Sequence, residues 1–362
     1  MRFFMKGENP MPQFNWVPLV FAVFSATAFY FSEMSAAFVT NEVITRFIRD
    51  GVMVLALIIP INAGMGVNFS IIVGALCAQV GLILAVDYRL GAVSGLLLIS
   101  TVGILLSIFS GVIIGICLNR AKRREMITTI IIGFLATSIY QLIFMVGYGT
   151  VIQPTNQEMM LSRGIGIRNM VDLEMFRNVI DTLWLFRIER IEIPVLMILC
   201  VFGFALMIKY IMKTRLGKQF MVIGESLEKA EALGIHVGRV RIKAIVASTL
   251  IACLGHIFYI LNIGMLDVYT AQMNTDIFSC AALLAGGATV LKADVRHAFS
   301  GIVLFHSLFI VSPQAGQNVF GNPALGEYFR SFVAYGTIAF ALIISSKNQE
   351  KLSIKEKTVK VT

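Results

Sequence analysis

Apolar runs about as long as a bilayer is thick recur along this 362-residue chain, and that repetition constrains the fold more than any other feature. Roughly 20 apolar residues cross a hydrocarbon core as a helix. Only helices and closed barrels satisfy the backbone there. Reading apolar runs against charged breaks gives about ten crossings, at roughly 17–37, 51–67, 69–86, 91–118, 126–147, 191–212, 241–261, 273–291, 298–312 and 328–346. A hydrophobic share of 57%, against roughly 45–50% in soluble domains, agrees. The expected fold class is all-α: a polytopic membrane protein of about ten transmembrane helices, forming one domain over residues 1–362.

The net charge of +9 is distributed in step with these runs. Residues 120–124 (RAKRR), 224–243 (GESLEKAEALGIHVGRVRIK), 291–297 (LKADVRH), the tail 347–362 and the N-terminus, with adjoining span ends, hold 21 of the 30 Lys and Arg and all thirteen lysines. The positive-inside bias then makes the protein multi-pass with both termini cytoplasmic. The first residues, MRFFMKGENPMPQFN, precede an apolar run without a small-residue cleavage site, which reads as an uncleaved first span. Charge that follows the membrane argues for the lipid bilayer as partner and against nucleic acid. The five cysteines lie inside apolar runs with no CxxC spacing, as buried free thiols do. His256 is alone at mid-span, and His236, His297 and His306 share no ligand spacing with it, so no metal site is expected.

The second crossing is not a simple helix. Pro60 lacks a backbone donor, and NAGMGVNFS then places Asn62, Gly64, Gly66, Asn68 and Ser70 at membrane depth. Irregular backbone there must face protein or a water-filled cavity. These residues are candidate lining, or support for the lining, of a solute pathway. Gly286 and Gly287 interrupt the eighth crossing, and paired glycine-interrupted segments point to transport pathways. Close packing of small residues, as in GAVSG and GVIIG, is the alternative. Weaker pathway candidates are Tyr140 and Gln141 in TSIYQ, and Ser279. Asp276, near the same span end, fits interfacial water equally well.

A long outer loop, about 148–190, carries Leu173, Phe176, Val179, Ile180 and Leu183 at helical spacing, with Asp172 as a cap and Trp184 at the end. Such a helix would lie on the outer interface, as an anchor or a dock for an external partner. On the inner side, the run 224–243 has seven charged residues and one histidine in twenty positions. Ser226 is a suitable N-cap, Glu228 sits in the first turn, and Gly234 can end a two-turn helix in the left-handed conformation. Glu225, Glu228, Lys229 and Glu231 form its polar side, and Leu227, Ala230, Ala232 and Leu233 its apolar one. It is either an interfacial linker or a docking element.

The run TRLGKQFMVIGESLEKAEALGIHVGRVRIKA resembles the coupling segment, here about 214–240, of ABC importer permeases of the branched-chain amino acid, ribose and nucleoside type. Thr214, Leu216, Gly217, Gly224, Ala230, Gly234, Ile235 and Val237 fall on the family pattern in register. GMGVNFSIIVGALCAQVG resembles the family's glycine- and Asn-rich segment, and LAGGATVLKADVRHAFSGIVL its late Gly-Gly segment. Ser226 and Leu227 depart from the usual Asn-Pro, Ile223 stands near the usual Ala, and Lys229 replaces the first Ala of a pair.

The resemblance implies a coupling helix, Gly224 to Gly234, seated in a groove of a separate cytoplasmic ABC ATPase. It also implies a second permease copy or homologue, an extracytoplasmic solute-binding protein and a bacterial cytoplasmic (inner) membrane location. The implied function is the translocation pathway of an ATP-binding-cassette importer for a small polar solute, such as a sugar, nucleoside or amino acid. The chain has no GxxxxGK[ST] run, so no cofactor is expected on it and it is not expected to be an enzyme; ATP and magnesium would bind the partner ATPase. The first alternative is an ion-gradient-driven secondary transporter, which needs membrane-embedded carboxylates that the assigned spans nearly lack. A membrane-embedded enzyme would need a catalytic constellation at membrane depth.

Overall fold

The computed structural model describes residues 16–121, 124–162, 164–180, 184–188, 191–332, 334–339 and 343. The expected N-terminal segment, Lys122 and Arg123 of the basic break, Leu183 and the tail 347–362 lie outside them. The chain is a helical membrane protein. Among the described residues, five helices are long and apolar enough to cross a membrane: α5 (Ala92–Arg120), α6 with its π-helical last turn (Glu125–Gly147), α8 (Val195–Lys213), α11 (Val237–Ile263) and α13 (Val295–Phe320). Three shorter apolar helices join them: α1 (Trp16–Ser32), α4 (Ile71–Asp87) and α12 (Thr275–Ala285). Residues 323–332 form a further helix after α13.

Helix α11 occupies the centre, packed against α2 (Ala36–Ala56), α4 and α5, while α13 gathers α1, α2 and α12. Small residues allow these backbones to approach. A β-carbon on Gly74 of α4 would stand 2.5 Å from the Thr249 carbonyl of α11, and one on Gly111 or Gly115 of α5 would stand 2.9 Å from the α-carbons of Val246 or Ile242. Without a hydrophobic force between helices in lipid, this close van der Waals contact is a main source of association. The GVIIG run therefore packs helices.

Two boundaries differ from the sequence reading. The helix that leads into the break begins at Ala36 rather than near 51, because Ser35 caps α2 by accepting from the Phe38 N–H and the charged residues that follow are helical. Residues 191–194, assigned to the sixth crossing, instead form a strand (Ile191–Pro194) paired antiparallel with Leu185–Ile188. Two β-branched isoleucines suit this pairing, and Pro194 sits at the helix border. A second small pair joins Met170–Asp172 to Met265–Asp267, so the chain is not purely α. Helix α7 (Glu174–Ile180) starts where Asp172 accepts the Glu174 N–H at 2.9 Å. It packs on the protein: Phe176 and Leu173 are buried, Phe176 against Gly95 of α5.

Gly286 and Gly301 mark where α12 meets α13; a β-carbon on Gly301 would collide with the Ala282 carbonyl. Gly301→Ala should cost about 1–3 kcal/mol as overpacking. Thermal unfolding in detergent should show its midpoint several degrees below that of Gly203→Ala, whose added carbon meets open space.

Candidate functional site

The site begins with the donor that Pro60 lacks. In a regular helix residue 60 would bond to the Ala56 carbonyl. That carbonyl instead accepts the Ser248 hydroxyl of α11 at 2.9 Å, and Ser248 Oγ in turn accepts Asn68 Nδ2–H at 3.3 Å. Asn68 Oδ1 closes the array by accepting from the Ser70 N–H at 3.1 Å and the Ser70 hydroxyl at 2.5 Å. Between these anchors the chain runs from α3 (Ile58–Pro60) through one π-helical turn (Ile61–Met65) and reverses into α4. Gly64 (φ 71°) and Gly66 (φ 69°, ψ −156°) take conformations that a side chain would strain. Helix α6 adds a further support, with Thr129 Oγ1 accepting the Phe69 N–H at 3.3 Å.

Asn62 bridges outward from this turn. Its amide donates to the Ile58 carbonyl at 2.9 Å and the Ala293 carbonyl at 2.8 Å, and its Oδ1 accepts the Ala293 N–H at 3.4 Å. Beside it runs α9 (Arg215–Glu225), whose Thr214 cap accepts the Gly217 N–H at 3.3 Å. Gly224 near its end lies directly on the Asn62 carbonyl and Gly64, closely enough that a β-carbon on Gly64 would stand 3.0 Å from the Gly224 α-carbon.

Ser226 then ends α9 and caps α10 (Leu227–Ala232), accepting the Lys229 N–H at 3.3 Å. Gly234 (φ 72°) closes the turn, with the Ile235 N–H bonded to the Ala230 carbonyl at 3.0 Å. Glu225, Glu228, Lys229, Glu231, Ala232 and Gly234 are exposed, as are Leu227 (47%) and Leu233 (69%). Ala230, read as part of the apolar outer surface, is fully buried against the chain itself. The outward apolar surface of α10 is thus Leu227, Ala232 and Leu233.

Asn68 and Ser70, in the array that supports the break, are buried within the chain. The remaining candidates do not converge with it, and Ser279 is buried too. Tyr140 sits in an apolar cleft of about 690 Å³ between α4, α5 and α6, with Cys77, Phe144 and Tyr148 among its neighbours. Gln141 donates to the Tyr269 carbonyl at 3.2 Å. His256 is a buried hydrogen-bonding residue, its Nε2 3.0 Å from Gln79 Nε2 and its ring stacked on Tyr259. Asp276 is partly buried and accepts the Ile277 N–H at 2.9 Å. No group of three His, Cys, Asp or Glu among the described residues could hold a metal ion.

Two polar constellations were missed. Inside α2, Asp50 Oδ2 lies 3.1 Å from His306 Nε2 of α13, and Arg49 Nε donates to Asn262 Oδ1 of α11 at 2.6 Å. Arg46 and Arg330 both lie over the Phe309 ring, at 5.6 and 3.8 Å from its centroid. Glu42, Arg46, Arg49 and Asp50 recur at i, i+4, i+7 and i+8, a helical period that would have extended the second crossing upstream. At the bundle end remote from α10, Asp87 accepts the N–H groups of Thr155 (2.8 Å) and Asn156 (2.9 Å) and the Tyr148 hydroxyl (2.6 Å), fastening the loop to α4.

The chain is a helical membrane bundle in which a capped surface helix rests against the irregular turn after α3. A family model described as branched-chain amino acid transport system / permease component matches residues 39–342, and the chain belongs to that family. No curated protein and no solved structure matches it. As a permease component it is a transport subunit, not a catalytic one.

The Ser248 bond can be tested by a double-mutant cycle. Ser248→Ala alone should destabilise by about 1 kcal/mol, the scale of interhelical hydrogen bonds in membranes. In a Pro60→Ala background, where residue 60 regains its N–H, the same change should cost measurably less in denaturant unfolding.

Proposed function

We propose that this chain forms the solute pathway of an ABC importer and takes its energy from a separate cytoplasmic ATPase that holds α10. The observation that carries this reading is the contact of Gly224 with Asn62 and Gly64, which sets the base of an exposed, doubly capped helix against the break in the second crossing. Exposed Leu227 and Leu233 on a helix otherwise fringed by charge suit a groove on a partner. Face α10 inward and the basic breaks lie with it, with about ten crossings, both termini cytoplasmic and the single permease domain spanning a bacterial cytoplasmic membrane. ATP and magnesium belong to the partner in this reading. The few charges near Asn62, Asn68 and Ser70 suit a polar neutral or zwitterionic solute, such as a sugar, nucleoside or amino acid, handed over by an external binding protein. The largely unburied α6 is the natural face for a second permease copy or homologue.

Affinity purification in mild detergent from the native membrane should recover an ATPase with the intact chain and lose it when Ser226 to Leu233 is scrambled. Leu227→Glu with Leu233→Glu should weaken that association at least tenfold while the spans fold normally. Recovery of the well-folded chain alone would favour ion-gradient transport, the reading to which the Asp50–His306 pair lends its one specific observation. Uptake that tracks an imposed proton gradient without ATP would then be expected.

A further inference from the structure

We infer that Asn62 is the positioning residue through which displacement of α10 reaches the broken crossing. The inference rests on the coupling role proposed for α10 and adds the route. Ser226 is at once the end of α9 and the cap of α10, so no free linker separates the two helices. Two residues earlier, Gly224 meets the Asn62 carbonyl and Gly64 with no side chain between the backbones. Side chains can absorb a small push by changing rotamer, but two backbones in van der Waals contact must move together.

From Asn62 the push passes onward through its side chain. Its amide holds Ala293 in both directions, accepting the N–H and donating to the carbonyl, while also gripping Ile58 in its own helix. Ala293 precedes Asp294, which caps α13 by accepting the Val295 N–H at 2.7 Å. The turn before it is itself closed, with the Thr289 N–H bonded to the Lys292 carbonyl at 2.9 Å. A single residue therefore ties the break, the base of α10 through its backbone and the start of α13 through its side chain. The left-handed Gly64 and Gly66 on its C-terminal side supply the joints about which the chain can refold. When α10 follows the ATPase, Gly224 carries Asn62 with it, and the Asn62–Ala293 bonds part or re-form accordingly.

The test uses the complex of the full chain with its ATPase in nanodiscs, with Cys117, the exposed cysteine among the described residues, replaced by Ser. Spin labels at Lys218→Cys and Lys292→Cys, both exposed, report the α9 to Ala293 distance without knowledge of the solute. The labelled parent should shift its distance distribution between the nucleotide-free and the ATP–vanadate states. Asn62→Ala, which removes the bonds to Ala293, should lose most of that shift while the variant still co-purifies with the ATPase. Gly224→Ala, which drives a β-carbon at the Asn62 carbonyl, should diminish it independently and decides the matter if the first variant assembles poorly. A parent without a shift, or an undiminished shift in both variants with the ATPase still bound, overturns the assignment of Asn62 and leaves the importer reading standing. A parent preparation devoid of ATPase overturns that reading and this inference with it.

Discussion

The missing donor of Pro60 is the constraint on which the architecture turns. In water the Ala56 carbonyl would find solvent, but in a bilayer an unsatisfied backbone group costs several kcal/mol. Ser248 meets that demand, and because it sits mid-way along α11 it fixes the depth and rotation of the central helix relative to α2. Asn68 and Ser70 extend the same array, so the chain reversal after the break is held by side chains of defined geometry. The close contacts of Gly74, Gly111 and Gly115 follow from it, since α4 and α5 can pack on α11 only once α11 is set.

The supports of the break are unequal. Toward α11 it is bound by hydroxyl and amide groups that are buried, and toward α9 it meets the backbone of Ile223 and Gly224. The first arrangement resists movement, because separating it exposes polar atoms with no water to receive them. The second offers shape without bonds. A machine element that must stay anchored at one end and yield at the other needs this asymmetry, and α10 is attached to the yielding end.

How much of this could be read from the residues varies with the kind of signal. The break was legible because Pro60, Gly64 and Gly66 act locally, through a missing donor and permitted φ values. The short helix α10 was legible for the same reason, from Ser226 and Gly234 at its ends. What escaped depends on partners distant in sequence. Ala230 reads as surface on a helical wheel, yet tertiary packing buries it. The start of α2 was hidden because Glu42, Arg46, Arg49 and Asp50 lower its hydropathy, and only the positions of His306, Asn262 and Phe309 explain how such a segment enters the bundle. Helix α7 was recognisable by period, but the residue that receives its Phe176 is a glycine 81 positions away.

The charged middle turns of α2 carry a consequence for biogenesis. Placing a lone Arg, Lys or Asp at the middle of a lipid-facing helix costs roughly 2.5–3.5 kcal/mol, and this helix carries Arg46, Arg49 and Asp50 within five residues. Released by itself into lipid as the chain emerges, α2 would be expelled. Its counterparts lie in α11 and α13, more than two hundred residues downstream, so α2 must wait in a sheltered setting until they arrive. For this protein, the order in which helices are synthesised and the order in which they come to rest in the membrane are different sequences of events.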